Sequence, residues 1–257
     1  MEIISTDIVP VKKGKSLIFK ILMVLFSLML LFSLVYFAVS LISANKTLQT
    51  YNQMYGTTEG EASAISFVPY STAYLEARYI MSKVDSVSLS INLADSVASL
   101  EMGGVVVFKA FLEGSSISPL LKAMKPEALS NLMRSPSRIV SYDATIDKEE
   151  VIIKKAPRDT VEAALNDIEL PVAVRKAAFF TLILDSGIRI VVMPHEESGR
   201  FGYVTRQNLY FFKQRVAAIF RGELPHYIPI INIEVSADNA KILFRAMPEH
   251  AQVALKF

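Results

Sequence analysis

"INIEVSADNAKILFRAMPEHAQVALKF", Ile231 to Phe257, closes the chain and carries its clearest change of rhythm. Ile231, Ile233 and Val235 sit at every second position, the spacing of a half-buried strand. Ser236 then stands where a helix cap belongs, because its hydroxyl can accept a backbone N–H of the first turn. Ala240, Leu243 and Phe244 follow at the spacing of one helix face. Pro248 cannot continue that helix, and Val253-Ala254-Leu255 reads as a final strand. The tail predicts strand, capped helix, strand.

The same reasoning runs upstream. In Ser86–Glu113, Val87, Leu89, Ile91 and Leu93 alternate with Ser88, Ser90 and Asn92, a strand pattern. Val97 and Leu100 belong to the next apolar stretch. Gly103-Gly104 suits a hairpin turn, and Val105–Phe111 is expected to be a buried strand. Ser71–Val84 predicts a helix capped by Ser71 or Thr72. Residues 116–135 look helical with a break at Pro126; 139–146 and 149–156 read as strands, and 158–167 as a short helix or connector. Ala177–Pro194 predicts a hairpin turning at Asp185-Ser186-Gly187. Gly202–Gly222 predicts a helix with Leu209, Phe212, Val216 and Ile219 on one face, followed by extended chain around Pro225 and Pro229. Strands and helices mixed without regular βαβ alternation point to an α+β fold, β-rich, of the kind a sandwich with helices provides.

One segment does not belong in such a domain. Ile21–Ser43, "ILMVLFSLMLLFSLVYFAVSLIS", holds 23 residues and no charge. As a helix it would be about 35 Å long, against a hydrocarbon core of about 30 Å. In lipid only a helix lets such a backbone satisfy its own polar groups. The apolar core of a cleaved signal peptide is shorter, about 7–15 residues. The run therefore predicts a retained transmembrane helix. Lys12, Lys13, Lys15 and Lys20 precede it and Lys46 follows, so the positive-inside rule puts the N-terminus in the cytoplasm. The expected organisation is a cytoplasmic tail (1–18), a membrane helix (19–44), a helical extension and linker (45–70), and an extracytoplasmic α+β domain (71–257). The expected location is the bacterial inner membrane, the domain lying in the periplasm if the cell is Gram-negative. Leu41, Leu48 and Tyr55 repeat every seven residues, a hint of a homo-oligomer through this helix.

Charge and chemistry narrow the rest. Four of the 27 Lys and Arg and two of the 25 Asp and Glu lie in the first 44 residues, leaving 23 of each sign beyond them. A neutral outer domain carries no electrostatic footprint for nucleic acid. With no cysteine there is neither disulfide, thiol nucleophile nor thiolate-bound metal. His195 opens "HEESG", which lacks the second histidine of a zinc protease and reads as a solvated loop. His226, between Pro225 and Tyr227, reads as a structural or packing residue, and His250 as a turn residue. Ser43 and Lys46 have serine–lysine spacing, but they close the membrane helix. Glu149-Glu150 and Glu196-Glu197 read as solvated surface. Tyr210, Phe211 and Phe212 read as helix core, with Arg206, Lys213, Arg215 and Arg221 giving that helix a basic face for an acidic partner or a membrane surface. No catalytic, cofactor-binding or metal-ligating residue is assigned, and no cofactor is expected.

Ile233–Leu255 resembles the end of the L,D-transpeptidase catalytic domain, where a capped helix, a proline and a strand follow the catalytic cysteine. Leu89–Leu112 is similar to that family's opening hairpin. Residues 113–230 show no such likeness. The resemblance places the cysteine at Asn232, the preceding His-Gly at Ile230-Ile231 and the following arginine at Glu234. It thus implies a pseudoenzyme: a scaffold without its nucleophile, binding peptidoglycan or a protein partner at the cell envelope. Two other functions are consistent with the residues. One is a structural subunit of a multiprotein trans-envelope machine for secretion or motility; the other is a hydrolase using Ser or Asp.

Overall fold

The computed structural model describes residues 14–56, 69–148, 177–195 and 199–257. Helix α1, Gly14–Tyr55, runs 42 residues without a break, about 63 Å. Among the described residues it is the one helix long and apolar enough to cross a membrane. Its apolar side chains from Phe19 to Val35 touch little protein. From Tyr36 onward contacts accumulate, and Ser43, Thr47 and Tyr51 are buried. One helix therefore has two solvents: nothing but its surroundings along the first half, the folded domain along the second.

The domain is a mixed nine-stranded sheet. Helix α2 (Tyr70–Met81) leads into β1 (Ser88–Asn92), β2 (Val97–Met102), β3 (Val105–Phe111) and β4 (Gly114–Ile117). Two short helices, α3 (Pro119–Lys122) and α4 (Pro126–Arg134), precede β5 (Ser137–Ala144), β6 (Phe180–Leu184) and β7 (Arg189–Pro194). Then come α5 (Arg200–Phe220), β8 (Ile230–Val235), α6 (Ala237–Ala246) and β9 (Gln252–Lys256). The strand order is β3-β2-β1-β9-β5-β6-β7-β8-β4. Among the described residues only β1–β9 and β7–β8 are parallel pairs. Strand β5 joins two halves: Ser137 and Arg138 pair with β9, while Ile139–Ala144 pair with β6.

The opposite edges of this sheet, β3 and β4, are separated in sequence by Leu112 and Glu113 alone. Two intervening residues reach at most about 11 Å, close to the spacing of packed sheets, about 10 Å. The sheet must therefore curl until its edges meet at one corner. Leu112 N–H donates to Ser96 on one side (2.9 Å) and Glu113 N–H to Glu234 on the other (2.8 Å), clasping that corner. Ile91, Leu100, Ile139, Leu182, Ile190 and Ile231 fill the interior. Phe244 of α6 lies over β5 and β6, 5.1 Å from the Phe180 ring and edge-on to Tyr142 at 5.6 Å.

The tail folds as its rhythm predicts. Ser236 caps α6, its Oγ accepting from Asn239 N–H at 3.3 Å, and Ala240, Leu243 and Phe244 are buried. The Gly103-Gly104 turn also forms, both residues taking the positive φ that a tight hairpin demands (57° and 82°). Pro126 starts a helix rather than breaking one, since the first turn has no use for its missing N–H.

Other expectations are corrected. Strand β3 is not buried: Val105, Val106, Val107 and Phe111 are all exposed, because β3 is one of the two edges of the described sheet and no described helix covers it. Helix α2 begins at Tyr70 with Pro69 at its N-cap, so neither Ser71 nor Thr72 caps it. The heptad residues Leu48 and Tyr55 pack on the domain's own core, while Leu41 stays exposed. The predicted face of α5 turns away from the sheet: Leu209 and Phe212 are about half exposed, while Val216 and Ile219 are partly buried. The strand at 149–156, the element at 158–167, the two acidic pairs and most of the linker lie outside the described residues.

Candidate functional site: a basic helix over a buried arginine

Helix α5 lies on the outer face of β6 and β7. Along β7 the period of two sends Ile190 and Val192 to the core and Arg189, Val191 and Met193 outward. Tyr203 and Val204 pack on Val191 and Met193, and Tyr203 stacks on Phe179 at 5.3 Å. A polar triangle ties the helix down: Gln207 Nε2 donates to Thr181 Oγ1 (2.7 Å) and to the Tyr203 hydroxyl (2.8 Å), and those two oxygens are 2.8 Å apart. Burial is the larger influence on Tyr203 and raises its pKa, so its hydroxyl stays a donor.

Beside this triangle, between α5 and β5–β7, is a cleft of about 760 Å³. Its charged lining is Arg189, Arg206, Lys213 and Asp143. Arg189 is 6% exposed, and its Nε has no hydrogen-bond partner among the described residues. The guanidinium sits 4.0 Å from the Phe211 ring centroid. Burial lowers its pKa, yet a guanidinium remains charged at any physiological pH. Among the described residues the energies do not balance. A desolvated cation–π contact contributes about 2 kcal/mol, whereas burying an ion costs several. Charge on α5 deepens the imbalance: Arg200, Arg206, Lys213 and Arg215 are its ionisable side chains of full charge, and it contains no Asp or Glu.

The opposite side of α5 is apolar. Phe201, Leu209, Phe212 and Phe220 are exposed to solvent. Two of them meet α1, Phe212 against Tyr36 at 5.6 Å and Phe220 against Phe32 at 6.1 Å between ring centroids. Arg215 lies over the Tyr227 ring at 4.3 Å.

At the clasped corner, sequence-distant charges converge. Glu234 accepts from Arg200 through both carboxylate oxygens and from His195 Nδ1 at 2.9 Å; Glu113 is 3.9 Å from the same nitrogen. The hydrogen bond to Glu234 raises the His195 pKa, with burial opposing. Burial pushes the Glu234 carboxyl up, but the bonds from His195 and Arg200 outweigh it and hold the carboxyl below its ordinary value. His195 is thus part of an ion network and not a free loop residue.

Other residues singled out in the sequence are scattered. Ser43 donates to the Pro225 carbonyl, which fixes the joint between α1 and the domain. His226 is exposed, against the expectation of a packing role. His250 Nδ1 is 3.3 Å from the Ile139 carbonyl. Asn232, at the position the resemblance assigns to a nucleophile, donates through Nδ2 to Ser116 Oγ at 3.0 Å. Tyr210 and Phe212 are exposed and only Phe211 is turned inward. Among the described residues no three His, Cys, Asp or Glu side chains gather as a metal site. Arg189 was hidden in the sequence because one arginine in a strand has no spacing to betray it.

No protein family, curated protein or solved structure matches the chain. Its class rests on its own geometry: a mixed α/β domain built onto the second half of a helix whose first half is suited to lipid.

Proposed function

We propose that this protein is a non-catalytic scaffold, held by α1 in the bacterial inner membrane with its domain on the extracytoplasmic side, where it binds a protein partner of the cell envelope. The observation that carries this reading is the unbroken passage of α1 from an apolar, exposed half into a half that docks one face, Ser43, Thr47 and Tyr51, on the domain. A flexible tether would raise only the local concentration of the domain; a continuous helix also fixes its height and orientation. Ser43, Tyr51, Asn52 and Tyr55 lock the joint. Tyr51 hydroxyl donates to Ser186 carbonyl (3.0 Å), Asn52 Oδ1 accepts from Lys125 N–H (2.9 Å), and the Tyr55 carbonyl accepts from Asn131 Nδ2 (2.8 Å).

The stretch from Phe19 to Ala38 holds 20 residues, none of them buried, about 30 Å of helix, the thickness of a hydrocarbon core. Tyr36 then lies at the outer interface, where aromatic rings with a polar tip settle. Phe220, against Phe32, is about 6 Å deeper by helix rise, the depth of an interfacial amphipathic helix. The four lysines at the other end support a cytoplasmic N-terminus.

The partner face is strand β3. Among the described residues its outer backbone groups are unpaired and Val105, Val106, Val107 and Phe111 are exposed, and proteins that leave such an edge bare court strand addition. A photo-crosslinking residue at Val107 of the full-length protein in its native membrane tests this. A discrete protein adduct, abolished by Val105→Lys, is the expected result. Adducts at control positions on α2 with none at Val107 would overturn it.

A further inference from the structure

We infer that the cleft between α5 and β5–β7 is a binding site for a phosphate-type oxyanion, with Arg189 at its floor and Arg206 and Lys213 at its mouth. Three observations converge on this. First, the cleft is preformed, with about 760 Å³ of space. Second, Arg189 is nine-tenths buried, lines that cleft and leaves Nε without a partner among the described residues. Among the described residues, the titratable groups acting on it are Tyr203, Tyr210 and Arg215, none of them a carboxylate. Third, three of the four charged residues lining the cleft are basic, Asp143 being the exception. A guanidinium fork at the base of such a space matches the oxygens of a phosphate, and flanking Arg and Lys complete its charge. At the wall, the Thr181–Tyr203 pair keeps one hydroxyl proton free for a neutral contact, both Gln207 amide N–H groups being donated within the triangle.

Position suggests where the anion comes from. Lys213 directly follows Phe212, whose ring touches Tyr36 of α1. On the reading that α1 spans a bilayer, this is the level of lipid headgroups, so the phosphate of an anionic phospholipid reaches the cleft without leaving the membrane. A free phosphate or phosphomonoester has the same chemistry. The site itself does not depend on the membrane reading; only this source does.

The test uses the full-length protein. In neutral detergent, titration with inorganic phosphate should raise the unfolding temperature saturably, and the same concentration of chloride should not. Arg206→Gln/Lys213→Gln, both at the exposed mouth, should weaken phosphate binding by about tenfold or more, the loss expected for charge-assisted contacts. Arg189→Gln should abolish it. Because Arg189→Gln can also disturb the sheet, the surface double variant decides if that protein fails to fold. No saturable phosphate effect, or an equal effect in the double variant, overturns the site. In nanodiscs of phosphatidylcholine the phosphate response should persist. In nanodiscs containing phosphatidylglycerol it should be suppressed if headgroups already fill the cleft. Undiminished phosphate binding there, with the detergent result intact, overturns the lipid source and leaves the site for a soluble anion.

Discussion

Glu101 shows how one buried charge sets the cost of its neighbours. It is 3% exposed beneath α2, and Arg78 Nε and Ser90 Oγ both donate to its carboxylate. Removing one partner of such a pair strands the other in a poor solvent. Arg78→Ala should therefore destabilise the domain by about 3 kcal/mol, read as a fall in urea midpoint at constant slope; a change under about 0.5 kcal/mol would contradict the network. His195 makes a prediction of a different kind. Its pKa is raised above 6.5 in the folded state, so its contribution is full below about pH 6.5 and fades as pH rises through the raised value. Glu234 is lowered below 4.5, so its support is present above that pH and is lost as pH falls through the depressed value. NMR titration of the His195 ring should give a midpoint above 6.5, and Glu234→Gln should bring it back down. An unchanged midpoint in that variant would assign the shift elsewhere.

Helix α6 is where local signals and tertiary demands agree. Its cap, its buried face and its terminating Pro248 were all written in consecutive residues. Ser236→Ala should cost about 1 kcal/mol, and Phe244→Ala about 3–5 kcal/mol, since Phe244 is fully buried against Phe180. Equal losses from the two changes would mean the cap bond is more than a local feature. Helix α5 is the opposite case. It has two apolar faces, one of Tyr203, Val204, Phe211 and Ala218 toward the sheet, the other of Phe201, Leu209, Phe212 and Phe220 away from it. Periodicity alone recovers a face but not which face the domain claims, so the sequence pointed to the outward one. Strand β3 failed for a related reason: a run of three valines reads as buried, and only the strand order reveals a bare edge.

At the scale of the whole molecule, α1 and the domain are one mechanical unit. A chain beginning at residue 40 keeps Ser43, Thr47 and Tyr51 in place; one beginning at residue 57 exposes the surface they cover. The shorter chain should be less stable by about 3 kcal/mol or more, as for loss of a buried aromatic, while equal urea midpoints would show that the docked half of α1 is dispensable. The sequence alone determined what depends on neighbours along the chain. It marked the apolar span, the Gly103-Gly104 turn, the 185–187 turn and the strand–helix–strand tail, because caps, turns and periodicity act over a few residues. Only the tertiary structure decided the curl of the sheet, the exposure of edge strand β3, the ion network of Glu113, His195, Arg200 and Glu234, and the burial of Arg189 with no partner for its Nε among the described residues. Those features join residues far apart in sequence, and burial and charge pairing are settled by what the folded chain places alongside, which no local pattern records.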